Sequence, residues 1–183
     1  PGDVVINDEV LNRGTLIRNC STSSTGAGPG ATTRFRASDI RFENTRFKTF
    51  HFQTEFNPFW GTPRSRGVSV QDCYFGGPRT TVKLSSPIEV AFGSCQFDGV
   101  TVVAPSKAEK VVFTDSSWTK VDKMINAGPG SSMFLQGDIS VNGKEIRQLG
   151  SDAVSQLISG ARGSVHLDGT VLETKPASKK KKK

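Results

Sequence analysis

Asp98 and Asp122 are the carboxylates of this chain that come nearest to an acid/base pair. Each lies just after the aromatic residue, Phe97 or Trp118, of two similar stretches of sequence. Two carboxyl groups held at a set separation hydrolyse a glycosidic bond, one as acid and the other as base or nucleophile. Turn residues are the simpler expectation, because aspartate readily bonds its own backbone there. Glu43 and Gln71 occupy equivalent outward places in successive stretches, followed by Gly93 and Thr114, so no acidic pair stacks at that position. No catalytic residue is assigned.

The thiols and imidazoles are equally sparse. Cys20, Cys73 and Cys95 form no Cys-x-x-Cys pair and His51 and His166 are the only histidines, so neither a metal centre nor a cofactor is expected. The three cysteines share one place in a repeated pattern, which predicts a stack of buried free thiols. Gly26 to Thr33 is rich in glycine, yet it lacks the lysine of a phosphate loop and puts Pro29 where a backbone donor is wanted.

Two segments have the chemistry of contact surfaces. In the loop from Phe56 to Arg66, the aromatic Phe59 and Trp60 lie close to Arg64 and Arg66, residue types that anchor interfaces. Lys179, Lys180, Lys181, Lys182 and Lys183 form a solvated tail able to touch an acidic protein surface or nucleic-acid phosphates without reading sequence. Those five lysines supply most of the net charge of +7, so the rest of the chain is nearly balanced.

The elements that carry these residues follow from composition and period. With 183 residues, 34% hydrophobic and 22% charged, the chain suits one compact domain. No apolar run is long enough to span a membrane. The first residues lack a signal-peptide pattern and free thiols favour a reducing compartment, so a cytoplasmic location is the expectation from these features.

One short pattern occurs five times: apolar, any, Asn/Asp/Ser, a small residue, any, and usually an aromatic. It is centred on Asn19, Asn44, Asp72, Ser94 and Asp115, at spacings of 25, 28, 22 and 21 residues. Alternating apolar residues flank the copies, as in Val68/Val70, Val90/Phe92 and Val100/Val102, which predicts strands. Three short strands per repeat, with Asn or Asp at a left-handed bend, describe one coil of a parallel β-helix.

On these residues, roughly 4 to 141, the chain resembles the right-handed parallel β-helix proteins of the pectin-lyase-like superfamily. The resemblance implies an all-β fold of about six coils, with Cys20, Thr45, Cys73, Cys95 and Ser116 pointing inward after the bend. It also implies an internal aromatic ladder of Phe47, Phe75, Phe97 and Trp118. The ligands and bases of the family's polysaccharide-cleaving members have no residue-by-residue match, so the resemblance carries the fold and not the reaction.

The expected organisation is a β-helix over 1–141, a cap over 142–174 and a disordered basic tail over 175–183. In the cap, Asn142-Gly143 signals a turn, Ser151-Asp152 starts a helix carrying Val154, Leu157 and Ile158, and Val165 to Val171 forms a hairpin. The expected role is a non-enzymatic structural module resembling the small β-helix pieces of phage particles, on the capsid or tail. It would form a homo-oligomer, with a trimer favoured, inside a larger assembly. The alternatives are a carbohydrate-binding or polysaccharide-degrading fragment, with Asp98 and Asp122 as its residues to test, and non-specific nucleic-acid binding through the lysine tail.

Overall fold

Side chains on a strand alternate between its two faces, so the burial along Val68–Gln71, Glu89–Gly93 and Lys110–Thr114 alternates between core and surface. A computed structural model describes residues 5–6, 15–21, 34–35, 40–47, 49–53, 68–76, 80–85, 89–104, 110–159 and 163–172. In it the strands wind into a parallel β-helix with three long sheets, and Val5–Ile6 pairs in parallel with Arg34–Phe35 in a fourth, two-stranded one.

The first sheet stacks Thr15–Arg18, Ile40–Glu43, Val68–Gln71, Glu89–Gly93, Lys110–Thr114, Ser132–Gln136 and Ser164–Leu167 in parallel, and Thr170–Leu172 closes it antiparallel. The second runs from Arg46–Phe47 through Tyr74–Gly76, Gln96–Asp98 and Ser117–Thr119 to Ser140–Val141. The third runs from Thr49–Gln53 through Thr81–Ser85, Val102–Ala104 and Ile125–Ala127 to Ile158–Ser159. Chain order and stacking order coincide, so residues one repeat apart are axial neighbours.

The bend between the first two sheets is the predicted left-handed residue in every copy. Asn19, Asn44, Asp72, Ser94 and Asp115 have φ of 56°, 44°, 53°, 49° and 49°, and Gly137 takes the same corner in the next coil at 67°. Asparagine, aspartate and glycine tolerate this region best. The backbone ladder continues through the corner, since the N–H of Asn44, Asp72 and Ser94 donates to the carbonyl of Gln71, Gly93 and Thr114.

Each small residue after the bend turns inward and donates to the carbonyl two residues before it. Thr45 Oγ1 reaches Glu43 O at 2.9 Å, Cys73 Sγ reaches Gln71 O at 3.2 Å and Ser116 Oγ reaches Thr114 O at 2.9 Å. The thiols thus act as weak hydroxyls. Cys20 departs from the expected buried stack: it is exposed, at the coil that ends the described part of the first sheet. Cys73 and Cys95 are buried free thiols.

Inside the second sheet the rings of Phe47, Phe75, Phe97 and Trp118 stack at 5.0, 4.9 and 4.6 Å between successive centroids. Phe92 and Phe113, from the first sheet, stack at 5.0 Å and meet that ladder edge-on. Parallel rings one coil apart are the direct result of in-register pairing.

Asn142-Gly143 turns the chain back into Lys144–Glu145, and the helix Ser151–Leu157 follows with Val154 buried. Ile158 is not helical. It enters the third sheet beside Ile125, because at that point the chain resumes the solenoid path. No helix among the described residues is long and apolar enough to cross a membrane.

Candidate functional site on the second sheet

On the solvent side of the second sheet, Arg46, Tyr74, Gln96 and Ser117 form one axial row. Gly76, Asp98 and Thr119 form the next. These two rows gather a polar network around Asp98.

Asp98 Oδ2 accepts from the Tyr74 hydroxyl at 3.1 Å, across one coil boundary. Its Oδ1 accepts from Thr119 Oγ1 at 3.0 Å, across the other. Lys120 Nζ bridges both oxygens, at 3.0 Å from Oδ1 and 3.2 Å from Oδ2. Lys120 reaches them from a left-handed backbone with φ 55°, in line with Gly99 of the preceding coil at 67°.

The glycine at 76 makes this possible. A Cβ there would fall 2.6 Å from Tyr74 Cζ, so the tyrosine ring lies across the place where a side chain would stand. The Arg46 guanidinium covers the same ring at 4.8 Å from its centroid, within cation–π range.

The electrostatics follow from these partners. The Lys120 bond, followed by those from Thr119 and Tyr74, holds the Asp98 carboxyl below the ordinary carboxylate value. Desolvation, and then the bond to Asp98, raises the Tyr74 phenol. A general acid must keep its proton near neutral pH; Asp98 is held the opposite way, as a fixed anion with both oxygens engaged. Asp122, the other carboxylate of the expected pair, is exposed in the segment between Ser117–Thr119 and Ile125–Ala127 and is not among the groups bonded to Asp98.

Among the described residues no group of three or more His, Cys, Asp or Glu side chains is placed to hold a metal ion. Burial raises the Cys73 thiol to about 11 and the Cys95 thiol to about 12, which removes the nucleophilic thiolate at neutral pH. Phe59, Trp60, Arg64 and Arg66, and the tail Lys179 to Lys183, lie outside the described residues.

Sequence reasoning singled out Asp98 and missed Tyr74 and Lys120. The signal was present in the repeat alignment: setting Phe75 against Phe97 puts Gly76 opposite Asp98 and Tyr74 opposite Gln96. What the alignment lacked was the lean of the ring over the glycine. Comparison with protein-family models, curated proteins and solved structures gives no match to this chain.

Proposed function

We propose that this chain is a non-enzymatic structural and assembly protein, a short β-solenoid of the pectin-lyase-like kind that serves as a capsid-decoration or tail-associated piece of a phage-like particle. One observation supports this reading most directly: among the described residues, surface polar groups join coil to coil. Arg18 with Glu43, Asn44 with Asn19, Lys110 with Glu89, Lys120 with Asp98 and Arg147 with Asp168 all pair across 21 to 25 residues, one repeat apart. With an interior filled by stacked rings, this describes a stiff rod whose surface chemistry is spent on its own integrity. Such a body suits a connector that presents loops.

In this reading the loop holding Phe59, Trp60, Arg64 and Arg66 contacts a neighbouring subunit, and the lysine tail is an accessory grip on an acidic protein surface or packaged nucleic acid. The test is the molar mass in solution by light scattering, for the full chain and for a version ending at Thr174, in low and moderate salt. A closed oligomer for both supports an assembly protein with an accessory tail. A monomer for both overturns the reading.

A further inference from the structure

We propose that the outer face of the first sheet is a self-docking surface on which a second copy of this chain lies antiparallel, placing Leu16 of one protomer over Val171 of the other. This deepens the assembly reading, on which it rests, by naming the partner and the surface.

Only two large apolar side chains are exposed among the described residues, Leu16 at 52% and Val171 at 59%. They occupy the two ends of one axial row. That row runs Leu16, Arg41, Ser69, Ala91, Val112, Phe134, His166 and Val171, each paired with the next across the sheet. Its middle, Ser69, Ala91 and Val112, is small and neutral, and Phe134 stacks flat on His166 at 4.7 Å with 14° between the rings. A two-fold axis between Ala91 and Val112 superposes the row on its own reverse, so each exposed apolar end covers the other.

Charge selects the same orientation. At the first end Glu43 accepts from Arg18 Nε at 2.6 Å and pairs with Arg41 Nε at 2.7 Å, two guanidiniums on one carboxylate. Both arginines are more than half exposed, while the carboxylate beneath them is only 15% exposed, so this end presents positive charge. At the other end Asp168 flanks the row and is paired with Arg147. Because chain order follows the rod axis, the charge divides along it: the described residues up to 85 carry a net +3 and those from 89 to 172 a net −3. Antiparallel rods bring unlike halves together, and parallel rods bring like halves together. A nucleic acid lying along the whole face would be attracted at one end and repelled at the other, which favours a discrete partner with the complementary charge order.

The size is sufficient. Eight strands at about 4.8 Å and about 15 Å of strand length give roughly 500 Å² of face per copy. Two such faces reach the roughly 1,000 Å² of a specific interface.

The test uses the full chain. Light scattering across the micromolar range is expected to show a dimer, and Val112→Arg, which sets two guanidiniums near each other at the axis, should weaken it at least ~100-fold while the far-UV circular dichroism stays native. In a Cys20→Ser background, Leu16→Cys with Val171→Cys should give a covalent dimer on mild oxidation, and neither single cysteine should. A covalent dimer from Leu16→Cys alone overturns the antiparallel arrangement. An oligomer that Val112→Arg leaves intact overturns this face and leaves the assembly reading standing, whereas a monomer at every concentration overturns both.

Discussion

Phe97→Ala tests the idea that the stacked rings hold the rod together. Phe97 is 1% exposed and lies between Phe75 at 4.9 Å and Trp118 at 4.6 Å, with Phe92 and Phe113 edge-on at 5.7 and 5.9 Å. Truncating a core phenylalanine costs about 3–5 kcal/mol, and aromatic pairs add about 0.5–1.5 kcal/mol each beyond area. Four ring partners place this site at the top of that range, about 5 kcal/mol. That is a third or more of the roughly 5–15 kcal/mol that stabilises a typical domain. For a chain of this size the melting temperature should fall by about 10–20 °C. The assay is urea unfolding followed by far-UV circular dichroism, with the slope against denaturant compared between variants. A loss below about 1.5 kcal/mol for Phe97→Ala refutes the argument that the stacked rings hold the rod together.

Three further outcomes are expected. Asn44, with φ 44° and its Nδ2 donating to Asn19 Oδ1 at 2.8 Å, should lose about 1–2 kcal/mol on Asn44→Ala in urea unfolding, and Asn44→Gly should recover most of it; equal losses refute the left-handed account. A thiol reagent at pH 8 should modify Cys20 in the native protein and all three cysteines after unfolding, and rapid modification of three native thiols contradicts the burial argument. Because burial raises Cys73 and Cys95 from 9.0 to about 11 and about 12, the native state holds those protons more tightly; their stabilisation is complete below pH 9 and is lost as pH rises through these higher values. Asp98 is shifted the other way, so its contribution is present above the ordinary value of 3.8 and lost as pH falls through its lowered one. Asp98→Asn should flatten the acid limb of a stability-against-pH curve, and an unchanged limb refutes the network.

The fold was legible because a solenoid writes its geometry into one short period. The recurrence of Asn, Asp or Ser before a small residue and an aromatic marked five corners, though not the next one at Gly137, and those corners take the left-handed backbone that the residue types tolerate. Alternation named the buried row, and the aromatic register of Phe47, Phe75, Phe97 and Trp118 followed from aligning the copies. Axial neighbours are one repeat apart, so an alignment of the chain with itself is already a contact map for the interior.

The surface was not legible in the same way. Inward side chains have one destination, whereas an outward side chain chooses among neighbours in two coils according to where there is room. Tyr74 leans across Gly76 to Asp98 because that glycine leaves the space, a choice made between residues 24 apart. Cys20 shares its repeat position with Cys73 and Cys95 yet is exposed. Ile158 continues the apolar spacing of the helix, but its pairing with Ile125 draws it into the third sheet. The amino-acid sequence by itself determined the period, the corners and the filling of the rod. Only the tertiary structure decided which polar groups meet across coils, and that Leu16 and Val171, 155 residues apart in the chain, end the same row of one face. Local backbone preference sets the first group, and the axial stacking of distant repeats sets the second.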